Sequence, residues 1–425
     1  MNITKGLRKM TDWRWLLPML AVLVFMSACP DSPTNPKDEN PYKQEPIDWP
    51  SLADSPWPMY RHDPQNTGRS PYPGAISGTI VDKITSSNSQ TGVVAGLDSS
   101  LYFYDEMAGI HYLRTTDLLG NIKWSKQLGI GMDYPSAVPV VLYDGSIVSI
   151  GKEDGEFIRL TASGDTLWQC FVPTEKALWA ANPGLTVGLD TTIYYITSDQ
   201  CLVAISHSGE LKWTLTDDRF SVVNTNMPAF SPDGKTLYVN GDNGVTVCAI
   251  DLTSRSVIWT FGEIPLTNSI VVDNQGNIFI NNGKPYPYTG NDYSFFSLNS
   301  EGILRWKYPI SHLRDTYEKS PSIDWDGNVY FVANDTLYSF TNDGDLRWKI
   351  PDKYISCPLV IDVDNNTYGF DCEEDLTGYC IDISGDLVWD MKNSSEFTRL
   401  GGSPIIVNNS ILVPGWRSEW IYVIQ

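Results

Sequence analysis

Ser320-Pro-Ser-Ile-Asp324, Asn328-Val-Tyr-Phe-Val332, Thr336-Leu-Tyr-Ser-Phe340 and Asp345-Leu-Arg-Trp-Lys349 follow one another in a single stretch of the chain. Each is a short run rich in β-branched and aromatic residues. The gaps between them hold turn formers such as Asp326-Gly327 and Asp343-Gly344. Such runs joined by tight turns predict four antiparallel strands, A to D.

The end of that stretch, Gly344-Asp-Leu-Arg-Trp348, recurs on both sides of it. Upstream stand Gly120-Asn-Ile-Lys-Trp124, Gly164-Asp-Thr-Leu-Trp168, Gly209-Glu-Leu-Lys-Trp213, the degenerate Ser256-Val-Ile-Trp259 and Gly302-Ile-Leu-Arg-Trp306; downstream stands Gly385-Asp-Leu-Val-Trp389. Successive Trp residues are 44, 45, 46, 47, 42 and 41 apart. A period near 40 to 50 marks a propeller or solenoid, so the 425 residues are not read as two or three ordinary domains. Four antiparallel strands per repeat make a propeller blade, whose apolar faces are covered only by its neighbours. The recurring Trp on strand D is then an interblade packing residue.

Seven Trp copies predict eight blades. After Trp389 the chain offers Ser403–Val407, Ser410–Val413 and Trp420–Ile424, which match A, B and C with no D. Near the other end, Gly78–Ile84 reads as a strand with no A, B or C before it. Joining the two completes a blade and removes an exposed sheet edge at the seam. The expected fold is all-β: an eight-bladed propeller over residues 57–425, its ring closed by an N-terminal strand.

The net charge of -21 repels phosphate backbones, so nucleic acid is not an expected partner. Peripheral docking on anionic lipid is disfavoured for the same reason. The N-terminus supplies another route to a membrane. Lys5, Arg8, Lys9 and Arg14 precede the apolar run Trp15–Met26, and Ser27-Ala28-Cys29 follow, the pattern of a secretory signal over residues 1–28. The run is far short of the roughly 20 residues a membrane-spanning helix needs. Met26-Ser-Ala-Cys29 resembles the bacterial lipobox, with Met where Leu is usual, and by that resemblance Cys29 becomes the lipidated first residue. Residues 29–56, rich in Pro, Asn and Asp, read as a disordered tether.

Export puts the remaining six cysteines in an oxidising compartment, where Cys372 and Cys380 flank a short step between strands and are a possible disulfide. Cys170, Cys201, Cys248 and Cys357 read as buried thiols. His62, His111, His207 and His312 have no metal-ligand spacing and read as surface or loop residues. Asp324-Trp-Asp326-Gly-Asn328, Asp273-Asn-Gln-Gly-Asn277 and Asp362-Val-Asp364-Asn-Asn366 resemble fragments of Ca²⁺ loops but lack the closing bidentate Glu, and they fall where A–B turns are expected. No metal site is expected.

Trp57-Pro-Met-Tyr-Arg-His-Asp-Pro-Gln-Asn-Thr-Gly-Arg-Ser70, taken with the Gly-x-Leu-x-Trp blades, resembles the pyrroloquinoline-quinone (PQQ)-type repeat family. That family includes quinoprotein alcohol dehydrogenases and the propeller lipoprotein of outer-membrane-protein assembly. The dehydrogenase branch implies PQQ held between a Trp and a disulfide of consecutive cysteines, a Ca²⁺ and an Asp base. This sequence has no Cys-Cys pair, no Cys-x-x-Cys-His haem motif and no residue matching the base. No catalytic residue is assigned and no cofactor is expected. PQQ and Ca²⁺ enter only with the alternative, a PQQ-dependent dehydrogenase.

In an up-and-down blade the A–B and C–D turns emerge on one face of the ring, and the D–A and B–C loops on the other. The loops vary most here, so that face is the expected binding surface. Its candidates are Trp179, Arg219, Tyr286, Tyr288, Tyr293, Arg314, Tyr317, Lys319, Tyr354 and Arg399: aromatic residues suited to interfaces, and cations conspicuous on an acidic protein. The function expected is a non-enzymatic envelope lipoprotein that binds envelope or outer-membrane proteins. It would be anchored at the periplasmic face of the outer membrane or at the cell surface. A carbohydrate-binding propeller is a further alternative.

Overall fold

The computed structural model describes residues 40–425 apart from 87–91, 131–137, 152–154, 174–183, 198, 222–226, 243–244, 263–267, 282–292, 311–319, 372–375, 394–401 and 416–419. The signal segment, Cys29 and residues 30–39 of the expected tether lie outside the described residues. The chain divides into a unit Met1–Pro41 and a unit Tyr42–Gln425, and the second holds every described strand.

Among the described residues, thirty-two strands form eight four-stranded antiparallel sheets, and there is no helix. Blades 1 to 7 span 93–130, 140–171, 186–216, 229–261, 271–310, 322–350 and 360–393. Blade 8 takes A, B and C from Ile405–Val407, Ser410–Pro414 and Trp420–Ile424, and D from Ile80–Thr85. Ile84 stands opposite Ile421, and Thr79 and Gln425 exchange two backbone hydrogen bonds of 2.9 Å. The N-terminal strand therefore closes the ring.

Burial follows position in the blade. Strand B of blade 6, Val329–Ala333, is buried at every residue because neighbouring blades cover both of its faces. Strand D of blade 3, Leu211–Thr216, alternates exposed and half-buried at the rim. Cores form between blades: Phe295 of blade 5 stacks on Phe331 of blade 6 at 4.6 Å, with Trp306 and Phe340 alongside.

The Gly-x-x-x-Trp phrase has a mechanical meaning. In blade 6, Ser339 pairs with Trp348 and Phe340 with Leu346, so Arg347 is an extra residue bulged out of the ladder. The same shift recurs ahead of the Trp in blades 1 to 7. A bulge twists its strand and re-aims the next side chain. The Trp then reaches the following blade, donating from Nε1 to a carbonyl there: Trp124 to Ala162 at 2.8 Å, Trp168 to His207 at 2.9 Å, Trp306 to Asn342 at 2.7 Å and Trp348 to Ile383 at 3.1 Å. Trp259 does so to Ser300, and Trp389 completes the circuit by donating to Ala75 at 3.0 Å.

The phrase's glycine is the floor on which the preceding blade's indole lies. A Cβ at Gly344, where φ is +91°, would lie 2.6 Å from the Trp306 ring. Blade 4 lacks the glycine. There Arg255 adopts φ 55°, and its guanidinium covers the Trp213 ring at 5.7 Å. Gly344→Ala combines backbone strain with an overpacked contact, and it is expected to cost about 1–3 kcal/mol, read as a lowered urea midpoint at unchanged slope.

Two sequence readings are revised. Residues 42–56 are not a disordered tether: Gln44, Trp49, Leu52, Ala53 and Ser55 are buried against the blades, which supply the cover their own segment lacks. His111 is not a loop residue but a buried member of strand C in blade 1, Ile110–Thr116. Cys380 is buried on strand C of blade 7 opposite Tyr368 on strand B, and burial pushes its thiol pKa up to about 12. Its expected partner, Cys372, lies outside the described residues.

Candidate functional site

The described part of the ring's axial opening is built by residues 42–75, which form a strap across the A–B face. Its outer arc crosses the A–B turns in descending blade order. Gln44 N donates to Trp325 O at 2.8 Å over blade 6, and Asn274 of blade 5 donates to Glu45 O at 2.7 Å. Trp49 then inserts over blades 3 and 4, with Nε1 bonded to Val187 O at 2.8 Å and its ring 5.2 Å from Phe230. Ala53 N bonds to Val141 O of blade 2 at 3.1 Å, and Ser55 Oγ to Ala95 O of blade 1 at 2.7 Å.

The inner arc, Trp57–Ser70, returns in ascending order and pairs with the innermost strands. Strand A ends early in each blade and leaves an amide facing the axis, and a buried amide needs an acceptor. The carbonyls of Trp57, Pro58, Pro64, Gln65, Thr67 and Gly68 accept from Ala95, Val141, Phe230, Val272, Ile323 and Ile361, at 2.8 to 3.2 Å. Blades 1, 2, 4, 5, 6 and 7 are thus stitched to one segment. Pro58 and Pro64 lack an N–H and act here only as acceptors.

Side chains of the inner arc reach further in. Arg61 is fully buried, with φ 58°. It donates to Leu359 O at 2.6 Å, to Ser322 Oγ at 2.7 Å, to Asn66 O at 3.3 Å and to Pro321 O. These carbonyls lie just before strand A of blades 6 and 7, apart from that of Asn66 in the arc itself. Asn66 makes the matching contacts on blades 4 and 5, donating to Met227 O and Ile270 O, each at 3.1 Å. Asp63 holds the turn between them by accepting from the amides of Gln65 and Thr67 and from the Thr67 hydroxyl. Arg69 joins the two arcs: it donates to Gln44 at 3.1 Å and to Asn274 at 3.0 Å, and lies 4.7 Å over the Trp325 ring.

The charged groups of the inner arc feel this burial. Burial lowers the Arg61 pKa to about 10, against the favourable fields of Tyr60 and Asp63. Burial also pushes the Asp63 carboxyl up, but His62, Arg69 and Thr67 outweigh it and hold the group below its ordinary value.

These residues do not fit a quinone and its Ca²⁺. Trp57, Arg61, Asn66 and Thr67 are buried in the mouth, and the Arg61 donors are already spent on backbone carbonyls. The carboxylates that could approach a cation serve their own turns. Oδ1 of Asp273, Asp324 and Asp362 each accepts two backbone amides of its turn. Their Oδ2 atoms accept from Asn277, Asn328 and Asn366.

The loop-face candidates are only partly described. Trp179, Tyr286, Tyr288, Arg314, Tyr317, Lys319 and Arg399 lie outside the described residues. Tyr293, read as a loop residue, opens strand C of blade 5, Tyr293–Leu298. Arg219 lies between blades 3 and 4 and forks onto Asp217 at 2.5 and 2.7 Å. Tyr354, between blades 6 and 7, is 55% exposed. The strap escapes sequence reasoning because its partners are one per blade, spread along the whole chain, and leave no local period.

A family model described as outer membrane protein assembly factor BamB matches residues 75–289 and, overlapping them, 154–368. The strap up to Gly74 precedes both windows. No curated protein matches the sequence. Among solved structures, BamB from Moraxella catarrhalis aligns with a TM-score of 0.55 at 15% identity, over 81% of this chain and 96% of that one. Sqt1 from Saccharomyces cerevisiae aligns at 0.60 and 12%, over 82% and 99%. The C-terminal WD40 domain of Sif2 aligns at 0.60 and 13%, over 83% and 99%. Likenesses at such identity concern the fold alone. With the family model running from the seam segment into blade 7, this chain belongs to the family of the outer membrane protein assembly factor BamB.

Proposed function

We propose that this protein is an exported, lipid-anchored envelope scaffold. It binds other proteins through its D–A and B–C loop face, in the assembly of outer-membrane proteins, and performs no chemistry of its own. The observation that carries this reading is the strap. One face of the ring and its axial mouth are taken up by the chain itself, whose backbone carbonyls pair there with six of the blades, so a partner is left the opposite face. Family membership supports assembly as the process, and the Met26-Ser-Ala-Cys29 ending supports the anchor. Such a scaffold needs no cofactor.

Site-specific photo-cross-linking in cells tests it. A cross-linking residue in place of Tyr354 is expected to capture an outer-membrane or assembly protein. The same residue in place of Leu119 or Ile303, both exposed on C–D turns of the strapped face, is expected to capture none. Capture from Leu119 and Ile303 but not from Tyr354 would place the working surface on the wrong side and refute the reading.

A further inference from the structure

The two arcs of the strap part over blade 8. Described strap bonds reach the inner strands of blades 1, 2, 4, 5, 6 and 7 through the backbone and blade 3 through Trp49, whereas none reaches that of blade 8. The gap is a cleft of about 430 Å³. Asp54 and Pro56 line it from the outer arc, Tyr72 from beyond the inner arc, Leu97 from blade 1, and Asn408 and Asn409 from blade 8.

Blade 8 departs from the others at this point. In blades 1 to 7 an Asp of the A–B turn accepts backbone amides of that same turn, as Asp98, Asp144, Asp190 and Asp233 do. Blade 8 turns instead on Asn408 and Asn409, at φ 50° and 60°. A turn with both central residues left-handed closes through its backbone. Among the described residues, no hydrogen bond occupies the side chains of Asn408, Asn409 or Asp54, or the Tyr72 hydroxyl. Tyr72 is 40% exposed and Leu97 53%.

We propose that this cleft binds a neutral saccharide. A sugar ring presents an apolar C–H face that packs on an aromatic ring, here Tyr72, with Leu97 and Pro56 as the remaining apolar wall. Its hydroxyls both donate and accept. Asp54 offers acceptors, and the two amides offer donors and acceptors side by side, so adjacent hydroxyls are matched whichever way their protons point. A cleft of this size suits a small ligand. The net charge of -21 and the Asp54 carboxylate select against acidic sugars. The site is separate from the loop face, and it stands or falls independently of the scaffold reading.

The test is calorimetric titration of the purified full chain with maltose, cellobiose and chitobiose, with sorbitol as an acyclic control. At least one disaccharide is expected to bind and sorbitol is not. Tyr72→Ala is expected to weaken binding by about tenfold or more, and Tyr72→Phe to keep most of it. Unchanged melting temperatures would separate lost binding from lost folding. Absence of binding by all three disaccharides at millimolar concentration overturns the proposal, as does equal binding by sorbitol or undiminished binding by Tyr72→Ala.

Discussion

Removal of residues 1–85 is expected to abolish cooperative unfolding, whereas a chain lacking only residues 1–39 is expected to melt as the full chain does. The longer deletion takes away the strap and strand D of blade 8 together. It exposes the edge of Trp420–Ile424, whose partner Ile80–Thr85 is gone, and it orphans the amides of Ala95, Val141, Phe230, Val272, Ile323 and Ile361. Each unpaired buried amide costs on the order of 1–3 kcal/mol. The combined loss is comparable to the roughly 5–15 kcal/mol by which proteins are ordinarily stable. An open edge also templates aggregation. Circular dichroism melts of the two truncations check this. A transition for the chain lacking residues 1–85 at the same temperature as the intact protein would refute the role given to the segment.

Arg61→Met is the single substitution with the largest expected effect, a loss of about 3 kcal/mol in urea denaturation, set by two opposing terms. Met removes a buried charge whose desolvation is costly, and on that ground alone replacement can even stabilise a protein. Against this, the carbonyls of Pro321 and Asn66 lose their side-chain donor, and Leu359 O keeps only Ser322 Oγ, at 2.9 Å. Orphaned buried acceptors cost about 1–3 kcal/mol each. The fork also spans blades 6 and 7, which Met cannot do. Arg61→Lys should recover only part of the loss, because a point charge cannot reproduce the planar fork. A midpoint for Arg61→Met equal to that of the parent protein would show that the fork does not hold the mouth together.

The legible part of this fold is whatever repeats. The Gly-x-x-x-Trp phrase announces the blades, and Gly78–Ile84 announces the seam, because a missing strand at one end matches a spare strand at the other. The Asp turns read as turns on spacing alone, and their hydrogen bonds have that form. What stays hidden has no period. Ile47, Trp49, Leu52 and Trp57 are too few and too irregularly spaced to mark a core, since each drops into a different part of the ring's mouth. Residue type alone misplaces His111, because the strand carrying it buries whatever stands at that position. The cleft at Tyr72 joins four distant segments, so no stretch of sequence holds enough of it to be noticed.

On the scaffold reading, the channel mouth serves the protein's own strap and takes up no cofactor. Thermal unfolding of the full chain with PQQ and Ca²⁺ is the decisive experiment. A ligand present at about 100 times its Kd stabilises the folded state by about 2.7 kcal/mol, a readily visible shift. A scaffold whose mouth is already filled shows no change in melting temperature with either addition or with both. A saturable upward shift with PQQ and Ca²⁺ together would contradict that reading and return the dehydrogenase one.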